Sequence, residues 1–214
     1  METKESKTME NLISLYSSCG MYVRFYAKLR SQWILLSRII DFLPKDGTIV
    51  DLGCGYGLLA NYLSIRLKHA RIIGVDLNPK RIENAKKTVK DRKNIEFLPM
   101  DFTRLDLFSC SGVILTDVLH HLSLDHQDSL LKTIYDRLDE DGILIVLEVN
   151  PSERFILKYW LTYLAEIILY PSDRIYYRCP IEMEKKLRQI GFATKIVTDS
   201  STVFSRILYV GCKP

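Results

Sequence analysis

The strongest constraint on this chain is an alternation that runs from Thr48 to its end. Short β-branched or apolar runs alternate there with segments of helical periodicity. Thr48–Leu52, Arg71–Val75, Ile95–Leu98, Gly112–Thr116 and the almost uniformly apolar Ile143–Val149 read as strands, the last of a kind buried on both faces. Leu58–His69, a segment from Asn78 and Pro79 to about Asp91, Ser123–Leu138 and Ile181–Ile190 read as helices between or after them. Strand–helix alternation of this kind predicts an α/β fold, a doubly wound and mostly parallel sheet with helices on both faces. Two closing strands, roughly Thr194–Thr198 and Arg206–Gly211, are joined by a short link that predicts an antiparallel hairpin.

The 214 residues suit one domain: a helical cap (1–43), a core (44–151), an insertion (152–180) and a terminal helix with hairpin (181–214). In the cap, Asn11–Leu43 reads as helix in one or two pieces, with Gly20 a possible break. Thirty basic against 26 acidic residues give a net charge of +4 with no basic block, which argues against nucleic acid. Five scattered cysteines (Cys19, Cys54, Cys110, Cys179, Cys212) lack metal-ligand or disulfide spacing, so no metal is expected and a reducing, cytoplasmic setting is. The polar start has no apolar signal-like run. Phe155–Tyr170 is shorter than the roughly 20 residues a membrane span needs, and it carries Lys158 and Glu166.

Asp51-Leu52-Gly53-Cys54-Gly55-Tyr56-Gly57 lies where the first strand turns into the first helix. Glycines there let the chain turn tightly and bring backbone close to a ligand. The helix start behind them offers free N–H groups. A dinucleotide fingerprint needs glycine at its sixth position, which counted from Gly53 is Leu58, so a nicotinamide oxidoreductase is disfavoured. Asp76, ending the second strand, is placed to accept ribose hydroxyls. Its plainer reading is a helix cap, a role Asn78 fills better.

The Asp-x-Gly-x-Gly-x-Gly run, with Cys54 between its first two glycines, resembles motif I of class I S-adenosylmethionine-dependent methyltransferases. The resemblance implies a seven-stranded Rossmann-like sheet with a reversed last pair, and S-adenosyl-L-methionine as cofactor. It implies Asp51, Gly53, Cys54, Gly55, Tyr56, Gly57, Asp76 and Leu77 as cofactor contacts, with Met100, Asp101 and Phe102 flanking adenine, and Thr116 beside them. For Phe102 a place in the core is the alternative. The segment Asp117-Val118-Leu119-His120-His121-Leu122 is similar to motif IV of the small-molecule branch, making Asp117, His120 and His121 the catalytic candidates. Histidine has the intrinsic pKa to take a proton from an attacking group. Each histidine alone reads equally as a backbone partner or packing.

The acceptor is sought in the less familiar parts. Phe155–Tyr170 has one narrow polar stripe (Arg154, Lys158, Thr162, Glu166) on an otherwise apolar helix, and Tyr176, Tyr177 and Arg178 follow it. With Tyr16 and Tyr22 from the cap and Trp160 from the insertion, these are the substrate-binding candidates. They suit a small hydrophobic or lipid-like acceptor, and peripheral membrane contact is open. The Leu147-Glu148-Val149 strand end also resembles bacterial methyltransferases acting on quinone-like, acyl or polyene substrates. A cofactor-binding protein without turnover, serving a protein partner, is the alternative.

Overall fold

The computed structural model describes residues 4–31, 36–101, 109–150, 157, 160, 164, 175–198 and 206–214. The elements are α1 (Lys4–Ser14), a 3-10 turn (Leu15–Ser18), α2 (Met21–Ser31), α3 (Leu36–Ile40), β1 (Asp46–Leu52), α4 (Leu58–Arg66), β2 (His69–Asp76), α5 (Pro79–Lys87) and β3 (Ile95–Pro99). There follow β4 (Cys110–Thr116), a 3-10 turn (Leu119–His121), α6 (Leu124–Arg137), β5 (Leu138–Val149), α7 (Pro180–Ile190), β6 (Ala193–Thr198) and β7 (Arg206–Cys212). The strands form one seven-stranded sheet in the order β3-β2-β1-β4-β5-β7-β6. Contacts divide the chain into two compact units, Met1–Asp106 with Cys110–Gly112, and Leu107–Ser109 with Val113–Pro214.

In the first unit β1 pairs in parallel with β2, and β2 with β3. The register sets Leu52 against Val75 and Asp76 against Pro99, so the carboxyl ends of all three strands finish at one edge. Helix α4 is buried from Leu58 to Ser64, which is why its sequence shows no polar face. Phe97, 2% exposed, fills the space left by two glycines: a Cβ on Gly57 or Gly74 would come within 2.4 or 2.5 Å of its ring. Asn78 caps α5 as read, its Oδ1 accepting from Lys80 N at 3.0 Å and Arg81 N at 3.3 Å, with Pro79 in the first turn.

In the second unit β7 pairs antiparallel with both β5 and β6, as the closing hairpin required. Helix α7 ends at Gly191, whose φ of +126° few other residues adopt.

Three boundaries differ from the sequence reading. Within the described residues the cap shows α1, a 3-10 turn, α2 and α3, with Gly20 at the break before α2. Helix α5 stops at Lys87, four residues early. Thr88 is fully buried there, its hydroxyl donating to Ala85 O at 2.5 Å and accepting from Asn61 Nδ2 at 2.8 Å. A side chain that holds the backbone this way ends a helix. Strand β5 begins at Leu138 rather than after the Asp141-Gly142 turn, because Asp141 N donates to Lys213 O and Lys213 N to Gly142 O, both at 3.0 Å. Among the described residues no helix is long and apolar enough to cross a membrane.

Candidate active site

In the first unit the site is built around Asp76, 6% exposed at the end of β2. Its Oδ2 accepts from Gly55 N at 2.9 Å and its Oδ1 from Asn78 N at 2.8 Å. Each carboxylate oxygen keeps a second lone pair for a further donor. Gly53 N and Cys54 N both donate to Val75 O, at 2.7 and 2.9 Å, which folds the loop back on the end of β2. Gly53, Gly55 and Gly57 all have positive φ, and the loop depends on this. Around Gly55 a Cβ would meet nothing within 4 Å, so the backbone there faces open space. Leu77 is 66% exposed beside it, and Met100, half-buried, donates its N–H to Asp76 O at 3.0 Å. Asp101 is half-buried directly after Met100. Phe102 lies outside the described residues.

Asp51, two residues before Gly53, is 1% exposed. Burial, with the Asp76 charge adding to it, pushes its carboxyl up to about 7 against the partial opposition of the Ala60 amide and Arg30. A buried acid with so little compensation is costly as a carboxylate, so the place suits a ligand bringing positive charge or N–H donors.

Tyr16, a substrate-binding candidate from the sequence, is instead fully buried. Its hydroxyl donates to Tyr56 O at 3.0 Å and accepts from Asn61 Nδ2 at 3.1 Å, and burial holds its pKa well above the usual phenol range. Asn61 in turn accepts from Arg92 at 2.5 Å. This tyrosine therefore braces the glycine loop from behind, a role its aromatic setting did not signal. Tyr22 is 63% exposed with its ring centroid 6.5 Å from that of Tyr56.

The second unit holds the histidines. Thr116 closes β4, buried, and Asp117 follows with φ +56°, a left-handed conformation that Asp tolerates better than most residues. Asp117 pairs with the buried Arg206 and donates its N–H to Leu147 O at 2.9 Å. His120, 1% exposed, presents Nδ1 to Glu148 Oε2 at 2.5 Å. Glu148 Oε1 accepts from Val118 N at 3.2 Å and Leu119 N at 2.8 Å. One carboxylate thus orients the imidazole and fixes the turn that carries it. Because Nδ1 faces a carboxylate, Nε2 is the nitrogen whose protonation can change. His121 stacks against His120 with centroids 4.2 Å apart, and the Tyr177 ring is 5.4 Å away.

The remaining substrate-binding candidates fall out unevenly. Tyr176 N donates to His120 O at 2.8 Å, and Gln127 Nε2 donates at 3.0 Å to the carbonyls of Leu119, Leu122 and Tyr176. Arg178 spends its donors on Asp128 at 2.8 Å, Gln127 and the Leu124 carbonyl, so it anchors its segment to α6. Trp160 is 57% exposed, Leu157 73% and Leu164 54%. The rest of Phe155–Tyr170, read from the sequence as a helix, lies outside the described residues.

Asp117, His120 and Glu148 each bring one possible metal-ligand atom within 4.8 Å of the others. The Arg206 guanidinium and the two amide donors already neutralise both carboxylates. Glu148 and Arg206 were not among the site residues read from sequence. Their signal is present: Arg206 is the one charge of β7, and Glu148 the one charge in the apolar Ile143–Val149 part of β5.

Residues 49–142 match the family model described as a methyltransferase domain. Over those residues the chain carries a methyltransferase domain. The family uses S-adenosylmethionine. An uncharacterized protein of Haemophilus influenzae is 31% identical over 159 residues, covering 67% of this chain and 61% of its own length. A carboxy-S-adenosyl-L-methionine synthase of Helicobacter pylori is 33% identical over 116 residues, covering 54% of this chain. This chain spans about half of that relative, 47% of its length. Among solved structures, the magnesium protoporphyrin IX methyltransferase of Synechocystis with bound S-adenosylhomocysteine superposes with TM-score 0.69 at 20% identity, covering 98% of this chain and 95% of that one. Human N-acetylserotonin methyltransferase in complex with S-adenosylmethionine gives TM-score 0.66 at 22% identity, covering 98% and 56%.

Proposed function

We propose that this methyltransferase moves the methyl group of S-adenosylmethionine to a small, hydrophobic or lipid-like acceptor. The observation that carries the cofactor half is the Asp76–Gly55 arrangement: an anchored carboxylate with spare lone pairs, next to a glycine that faces open space. Asp76 would take the ribose hydroxyls and Leu77 and Met100 the adenine faces. The buried Asp51 fits a cofactor that carries an ammonium group and a sulfonium. The exposed Leu157, Trp160 and Leu164 support a hydrophobic acceptor that would cover them.

When bound, the cofactor supplies an electrophilic methyl on a sulfonium. The chain then has to align an acceptor and manage one proton. Alignment alone is worth several kcal/mol, on the order of 7 or more in good cases. His120 is built for the proton: Glu148 holds Nδ1–H, and Nε2 takes the proton from the acceptor's hydroxyl, amine or acidic carbon as the new bond to methyl forms. Glu148, on Nδ1, orients the ring and steadies the imidazolium that forms.

Calorimetry tests the cofactor half. S-adenosylmethionine and S-adenosylhomocysteine should bind and NAD should not. Asp76→Ala should weaken binding by roughly tenfold or more while the protein stays folded, because the ribose hydroxyls lose their charged acceptor. Unchanged affinity in that variant removes Asp76 from the site. A search for products gaining one methyl mass, across candidate hydrophobic acceptors, separates an enzyme from a binder without turnover.

A further inference from the structure

We propose that the outward face of α2 docks on an anionic lipid bilayer surface. Helix α2 turns Val23 and Ala27 inward, both buried, and packs Tyr26 against Tyr56 with centroids 5.1 Å apart. The opposite side carries Met21 at 86% exposure and Phe25 at 65%, four residues apart on one stripe. Arg24 and Lys28, also four apart and both exposed, form the stripe alongside. Neither cation makes an ion pair among the described residues. Residues 11–40 contain four basic side chains and no acidic one, in a chain whose composition is otherwise nearly balanced.

A folded domain in water gains by covering Met and Phe, and this helix leaves them almost fully solvated. Self-association through an apolar stripe would set each copy's Arg24 and Lys28 close to those of the other, with no acid on the helix to offset them. A neutral hydrophobic ligand would cover the apolar stripe and leave the cationic one without purpose. An anionic membrane surface satisfies both: the apolar side chains enter the headgroup–acyl boundary while the cations meet lipid phosphates. The helix is too short to span, so the contact is peripheral. The inference stands apart from the cofactor reading, since vesicle binding and S-adenosylmethionine affinity are measured separately.

The test is sedimentation of the full chain with vesicles of phosphatidylcholine alone and of phosphatidylcholine mixed with phosphatidylglycerol. Binding is expected only to the mixed vesicles and should fall as salt rises. Arg24→Glu with Lys28→Glu should lower the partition coefficient by roughly 25-fold or more, about fivefold for each cation lost. Phe25→Ser should weaken binding while leaving its salt dependence in place, and melting temperatures should confirm that these surface variants fold. Equal partition onto neutral vesicles, or full binding by the double charge reversal, overturns the proposal. So does a dimer in lipid-free sedimentation that Phe25→Ser dissolves, which would make a second copy the occupant.

Discussion

Asp51 and Asp76 are both nearly buried, yet they differ in what reaches them. Asp76 accepts two backbone N–H groups, whereas burial, only partly opposed by the Ala60 amide and Arg30, pushes the Asp51 carboxyl up to about 7. The consequence for stability has a definite sign. In the unfolded chain this acid ionises near 3.8, so between that value and about 7 the folded state binds the extra proton and stability falls as pH rises. The penalty is complete above about 7 and has a ceiling of about 4 kcal/mol. Asp51→Asn cannot ionise, so its melting temperature relative to the parent should climb as pH is raised from about 4.5 to about 8.5. A difference that stays flat across this range would show that Asp51 ionises normally. The same variant should bind S-adenosylmethionine more weakly, because the site loses this buried acid.

At the scale of elements, two contacts decide whether the site is assembled. The first is the fit of Phe97 into the space over Gly57 and Gly74. A Cβ on Gly74 would lie 2.5 Å from that ring and 3.0 Å from Cys54 Sγ. Gly74→Ala should therefore cost about 1–3 kcal/mol, the usual price of overpacking, read as a lower urea midpoint. An unchanged midpoint would mean the ring moves aside freely. The second contact is Glu148, which ties the turn after β4 to β5 through two amides and one imidazole. Gln in its place can still accept from the amides but presents an N–H₂ group to His120. Glu148→Gln should lower turnover by roughly 10²–10⁴ with cofactor affinity nearly unchanged. Imidazole nitrogen shifts should show His120 leaving its Nδ1–H form in this variant. Retention of both rate and tautomer would leave Glu148 a purely structural tie.

For the whole molecule, ligand binding to the folded state alone must raise its stability. S-adenosylhomocysteine at about a hundred times its dissociation constant should add about 2.7 kcal/mol. For a chain of this length that is a rise of about 5–10 °C in melting temperature. Asp76→Ala should lose about half of it or more at the same concentration, and NAD should produce none. An equal shift with NAD would overturn the reading of the glycine spacing. The architecture itself was legible along the chain. Period-2 and period-3.6 patterns, the Asn78-Pro79 start and the Gly191 stop are local signals, and each element they marked within the described residues is present, with its ends moved by a few residues. The loop from Asp51 to Gly57 was legible for the same reason, since its backbone conformation demands glycine wherever it occurs. What the sequence could not show was which polar side chains the fold brings together across long separations. Tyr16 meets Tyr56 and Asn61 from 40 and 45 residues away, His120 meets Glu148 from 28, and Asp117 meets Arg206 from 89. Local spacing carries no record of such pairs; burial forces each polar group to find a partner, and only the tertiary structure chose which one.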